Sequence, residues 1–438
     1  MKYAWVVALF LGLLADPSPA QAQPATPDQQ PNRPMNADPL AARLRDGAWG
    51  LIVSGLQSYD SDPLKGAGQT GDVFTLVGPS TGGSVHLSGS KSWRKAGFWL
   101  DAGNTTVYYP RSDAILSDSN AVFSEYRKFG RNTTIAAGQS VNFSPYYSIG
   151  IFPGLGSFSG TDIPAPFVPT FGSGIQATRT HRFSVSTQLT HQIGERSSIQ
   201  ASYAIQGTGV PQIHSFAFMN EAGGRVTRQL TRSVGLHAGY GFGQTQFGGE
   251  KSAVQHNIDV GLDLKRALSL TRRTTFRFTT GTTALRVRGA TGGATGSRTE
   301  FALLGGASLS HYMGRTWVAS VDYTRGWRLL DGLLEPYFSD GVTAVVGGRL
   351  NSRSTVGLSA AWVSGVPLVG AQQTRDHATI EGAWYQVQVA RGVTAYAQYS
   401  YYSQRFAFDG LSSLDLPQRF SRNTARVGMT LLLPRNTQ

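Results

Sequence analysis

The chain has 438 residues, of which 40% are hydrophobic, only 15% are charged and 53 are glycine. Soluble domains carry about 25% charge; here Gly, small polar residues and aromatics take the place of charge. The absence of Cys excludes disulfide scaffolds, Cys-ligated zinc and thiol catalysis. No stretch after residue 22 reaches the ~20 apolar residues of a membrane helix. The net charge of +13 raises a nucleic-acid or anionic partner, so the location of the charges has to decide between them.

The amino-terminal segment reads as an export signal. Lys2 precedes an apolar core from Ala4 to Leu14, then Pro17, Pro19 and the small-x-small run Ala20-Gln21-Ala22. Cleavage is expected before Gln23, which makes residues 1–22 a signal peptide and sets aside a nucleic-acid partner. Residues 23–47, rich in Pro, Gln and Asn with a short helix expected over Pro39 to Asp46, read as a periplasmic linker.

From residue 48 to 434 one pattern repeats. Apolar and small or polar residues alternate with period two, the signature of a strand with two unlike faces. A first strand is expected over Ala48 to Tyr59. Phe183, Val185 and Leu189 alternate with Arg182, Ser184 and Ser186. Ile199, Ala201, Tyr203 and Ile205 alternate with Gln200, Ser202 and Ala204. Val234 to Phe242 alternates with Gly235, His237, Gly239 and Gly241. Ile258, Val260, Leu262 and Leu264 alternate with Asp259, Gly261 and Asp263. Trp317, Ala319, Val321 and Tyr323 alternate with Val318, Ser320 and Asp322. A last strand runs from Phe420 to Leu433.

Short basic turns recur near residues 93, 130, 195, 229, 268, 314, 352 and 391, with one wide gap between the second and third. The connections between them are longer and richer in Gly and Pro, as in Gly289 to Ser297 and Ser364 to Gln373. Eight hairpins and the two end strands make about eighteen strands. This predicts an all-β fold: one transmembrane antiparallel β-barrel with short periplasmic turns and longer outer loops. Even parity returns both ends to the periplasmic side. The export signal, the Gly- and aromatic-rich strands and the final strand with Val427, Met429, Leu431 and Leu433 resemble a Gram-negative outer-membrane β-barrel. The resemblance is architectural and, at class level, extends to porins and polysaccharide-export barrels. It implies an outer-membrane location, although the chain runs on past the usual terminal aromatic residue to Gln438.

Little in the sequence points to catalysis. Gly78-Pro79-Ser80-Thr81-Gly82 fits the G-x-S-x-G pattern but lacks the strand-to-helix elbow that the chemistry needs; it is expected to be a bulge or kink. Gly289 to Gly296 looks like a phosphate loop without its Lys or following helix, and is expected to be an exposed loop. No catalytic residue, metal site or cofactor is assigned. The stretch before the first strand is short for a plug domain, and no passenger domain is expected.

Charge is segregated instead. The eight short turns and their flanks carry seventeen basic residues against one acid, Glu195. The collar is Arg94, Arg131, Arg196, Arg228, Arg232, Arg266, Arg272, Arg273, Arg315, Arg353 and Arg391. It would concentrate anions at one mouth or bind anionic lipid headgroups. Strand parity places Arg182, Arg277, Asp259, Asp263 and Asp322 in the lumen, where they tune selectivity or pair across the wall. The strand of Arg277 is expected to change phase before Leu285 and Val287. The wide gap holds Ser148 to Gly174, whose Phe152, Phe158, Phe167 and Phe171 are candidates for a constriction loop. These features point to passive passage of anionic solutes or an exported anionic polysaccharide. The alternatives are a general diffusion porin and a barrel acting as adhesin, structural protein or lipid-acting enzyme. Outer-membrane lipid is the expected surrounding partner, with periplasmic export proteins as further partners.

Overall fold

The computed structural model describes residues 48–61, 78–144, 179–210, 215–246, 252–267, 273–291, 294–314, 316–329, 336–367, 375–405 and 419–436. The signal, the linker and all four phenylalanines of the wide gap lie outside these residues.

Among the described residues, eighteen strands follow one another. They are β1 (Ala48–Asp60), β2 (Gly78–Ser92), β3 (Ala96–Tyr109), β4 (Ala114–Phe129), β5 (Thr133–Ser144) and β6 (Thr180–Gly194). Next come β7 (Ser197–Val210), β8 (Ser215–Gln229), β9 (Val234–Gln246), β10 (Ser252–Ala267), β11 (Thr274–Thr291) and β12 (Ala294–Met313). The last six are β13 (Trp317–Leu329), β14 (Pro336–Arg349), β15 (Ser354–Pro367), β16 (Asp376–Ala390), β17 (Val393–Arg405) and β18 (Arg419–Asn436). Each strand pairs antiparallel with its successor, and β18 pairs back onto β1 from Ala48↔Asn436 to Asp60↔Thr424. The sheet therefore has no free edge, the condition under which strands can cross lipid with every backbone group paired.

Because the strands alternate in direction, every even-to-odd connection lies on one rim, together with the two ends of the barrel. The turns at Gly314 and Ser352 share it, as the hairpin count predicts. Local chemistry explains why these connections are tight. Gly130, Gly314 and Gly392 have φ of 67°, 66° and 79°, the left-handed region that glycine enters without steric cost. Elsewhere a side chain closes the turn: Asn351 Oδ1 accepts from the amides of Arg353 and Ser354, and Thr231 Oγ1 from those of Ser233 and Val234.

Three sequence expectations are corrected. Gly289 to Ser297 is largely strand rather than loop: the β11–β12 ladder continues through Gly289↔Gly296 to Thr291↔Ala294. Ser364 to Pro367 likewise belongs to β15, paired with β14. Gly78 to Gly82 forms no bulge against β1, because its register is unbroken from Asp60↔Gly78 to Leu56↔Gly82, although Gly78 itself bends the chain with a φ of 98°. Ser80 there is fully buried and bonded to Ser58 Oγ, an arrangement that holds two strands together.

Candidate pore lumen and its mouth

Register and burial together divide each strand into two faces. On β1, Leu51, Val53 and Tyr59 are exposed, while Ile52, Ser54, Leu56, Ser58 and Asp60 are buried. The exposed apolar set recurs around the barrel: Leu236, Tyr240 and Phe242 on β9, Ile258, Val260 and Leu262 on β10, and Val427, Met429, Leu431 and Leu433 on β18. On β9 this run covers Val234 to Phe242 and is followed by Gln244 and Gln246. A tilted strand rises about 2.5 Å per residue along the barrel axis, so about ten residues span the ~25 Å apolar band of an outer-membrane barrel. Large apolar side chains left in water over that whole height would aggregate; against lipid they are at rest.

The ring of ladders is closed and its outer face is apolar. The chain is a transmembrane β-barrel of the outer-membrane type. No protein-family model matches it, and no curated protein matches it. Among solved structures it is similar to OccK11 (OpdR) of Pseudomonas aeruginosa, with 12% identity, 90% of this chain and 98% of that chain covered, and a TM-score of 0.42. OccAB3 of Acinetobacter baumannii gives 10%, 89%, 99% and 0.42. The FrpB iron transporter of Neisseria meningitidis gives 9%, 91%, 84% and 0.44.

The inner face is polar. Arg182 stands on it opposite Asn142 and Thr208, and Arg277 opposite Lys265 and Ser308. Asp322 is opposite Ser308 and feels the charge of Arg277. Asp259 pairs with Gly239 in the ladder; its side chain lies outside the described residues. The β10–β11 register shifts between His256 and Leu264, but by two residues, and the β11–β12 ladder is unbroken. Leu285 thus keeps the parity of Arg277, and the expected change of phase does not occur.

Asp263 is the centre of the best-defined lumenal network. Arg225 Nη2 donates to both of its oxygens at 3.1 and 2.9 Å, and Thr279 Oγ1 donates at 3.0 Å. His237, its side chain fully buried, places Nδ1 3.0 Å from Asp263 Oδ2 and donates from Nε2 to the Thr280 carbonyl at 3.0 Å. The ring reaches from β9 across β10 to β11. Only a glycine at 261 allows this, since a Cβ there would collide with the Thr280 carbonyl.

A second network closes the barrel. Asp60 on β1 meets Arg422 on β18 through Oδ2–Nη2 at 2.9 Å and Nε–Oδ1 at 3.1 Å, and accepts from Thr424 Oγ1 at 2.6 Å. Arg426 on the same inner face also feels the Asp60 carboxylate. Neither Asp60 nor Arg422 was singled out from the sequence, although parity held the signal: Asp60 continues the row Ile52-Ser54-Leu56-Ser58, and Arg422 and Arg426 alternate with Val427 and Met429. Tyr402, Gln404, Trp384 and Tyr109, all buried, were missed in the same way.

The collar residues divide by position. Arg94, Arg131, Arg196, Arg232, Arg353 and Arg391 are exposed on the short turns, and Arg273 is exposed just before β11. Arg228 lies on the outer face beside Leu236, turned away from the lumen. The side chains of Arg266, Arg272 and Arg315 lie outside the described residues.

Proposed function

We propose that the protein is a passive outer-membrane channel for hydrophilic solutes whose short-turn mouth favours anions. The observation that carries the reading is a difference in compensation. On the wall, two arginines meet carboxylates: Arg225 with Asp263, Arg422 with Asp60. On the turns, six exposed arginines face one acid, Glu195. A barrel of this strand number leaves a lumen wide enough for water. Fixed charge at its entrance then raises the local concentration of counter-ions.

The mouth can be tested separately from the wall. Replacing Arg131, Arg232, Arg353 and Arg391 by Gln should shift the reversal potential toward cations at 0.1 M salt, where the Debye length is about 10 Å, and leave it almost unchanged near 1 M, where it is about 3 Å. An unaltered reversal potential at low salt ends the anion reading and leaves a general diffusion pore. An exported anionic polysaccharide is the polymeric form of the same cargo class. It predicts that acidic oligosaccharide added on the short-turn side blocks the current, and that neutral oligosaccharide of equal length does not.

A further inference from the structure

On the outer face of β16, β17 and β18 a cluster of arginines stands on the long-connection side, separated from the apolar residues below by Thr379, Glu381, Ser403, Ser421 and Asn423. Arg405 closes β17, Arg419 opens β18, and the two are directly opposed cross-strand partners. His377 stands opposite Arg405 from β16, and Arg375 lies two residues before it. All four side chains are exposed. Like charges placed opposite one another destabilise a ladder, and neither Arg405 nor Arg419 has an acidic partner among the described residues. The carboxylate on this face of β16, Glu381, stands four residues further down, opposite Tyr401. Asp376 turns the other way, onto the inner face opposite Gly365.

Beneath the arginines the outer face is hollow. Tyr59, Tyr385 and Tyr399 flank a cavity of about 680 Å³ floored by Ala383, Ala397 and Ala425. Six residues separate Tyr399 from Arg405, about 15 Å along the barrel axis. The cavity thus lies among the apolar residues, and the arginines lie beyond the polar residues that border them on the long-connection side.

We propose that this corner binds a phosphate-bearing lipid of the outer leaflet, with its phosphate between Arg405 and Arg419 and an acyl chain in the cavity below. Guanidinium forks match phosphate oxygens with paired, charge-assisted hydrogen bonds. One bound phosphate also turns the repulsion between the opposed arginines into a shared attraction. A flexible hydrocarbon chain fills the hollow between the tyrosines, whose walls otherwise lack partner atoms. The site is outside the lumen and does not depend on what the channel conducts.

The test uses full-length protein in detergent, with purified lipid A and its phosphatase-treated form as probes and native mass spectrometry as readout. Lipid A should remain bound, and the dephosphorylated form should bind at least about tenfold more weakly. The double variant Arg405→Gln/Arg419→Gln should lose lipid A to the same degree, and Ala425→Trp, which fills the cavity and leaves both arginines in place, should lose it as well. Both variants should keep wild-type single-channel conductance, which separates lost binding from lost folding. Equal binding of the two lipid forms, or undiminished binding by the double variant, overturns the proposal. So does displacement of lipid A by millimolar inorganic phosphate, which would mark a bare anion site, and so does wild-type binding by Ala425→Trp.

Discussion

At the scale of single residues, the contact with most at stake is the Asp60–Arg422 pair. It joins the first strand to the last and is almost wholly buried, with side-chain exposures of 1% and 0%. Removing one member of such a pair strands the other charge without a counter-ion, a loss of about 3–5 kcal/mol, whereas replacing both with apolar residues is often neutral. Asp60→Asn should therefore lower the unfolding free energy in vesicles by that amount, and Asp60→Leu/Arg422→Leu should restore part of it, because Arg426 still loses the Asp60 carboxylate while being freed of the Arg422 charge. A loss below about 1 kcal/mol in the single variant would mean that the buried Arg422 guanidinium does not depend on the Asp60 charge. The pair was legible as parity and not as a contact: the two residues are 362 positions apart, and only closure brings them together.

At the scale of elements, the ladder that departs most from regularity is β10–β11. Between His256 and Leu264 the β10–β11 register shifts, and His237 supplies a side-chain hydrogen bond to the Thr280 carbonyl across that break. His237→Phe keeps a ring of similar size and removes both polar contacts. Amide exchange over Thr279 to Thr283 should then quicken by about tenfold, in keeping with the ~1–3 kcal/mol cost of an unmet buried group. Exchange at the wild-type rate would show that the ladder holds there without the ring. Period-two patterning identified β10 correctly, because Ile258, Val260 and Leu262 do face lipid. It failed for Gly289 to Ser297, where Gly, Ala and Thr give no apolar alternation and the ladder with β12 is the stronger determinant. The crossing of His237 over Gly261 left no mark in the sequence beyond an inward histidine opposite a glycine. The opposition of Arg405 and Arg419 is in turn a matter of the β17–β18 register, which neither strand shows alone.

At the scale of the whole molecule, strand number, the shared rim of the short turns and the pairing of the two ends all follow from one alternation sustained over almost 390 residues. Lipid has no hydrogen bonds to offer the backbone, so a sequence with that alternation and no spanning helix is left with closure. The inner wall was harder to read, because lumenal polarity is shared among Gly, Ser, Thr and scattered charges whose partners sit on neighbouring strands. Arg182, Arg277, Asp263 and Asp322 fall on the inner wall as parity requires, and at Asp263 the charge is already compensated. The central claim is that this closed wall surrounds a water-filled path. The most direct test is single-channel recording of the purified full-length protein in planar bilayers at 1 M KCl, where the charges at the mouth are screened. The account predicts discrete, ohmic conductance steps with each insertion. Repeated insertion of correctly folded, heat-modifiable protein without any conductance step would contradict it.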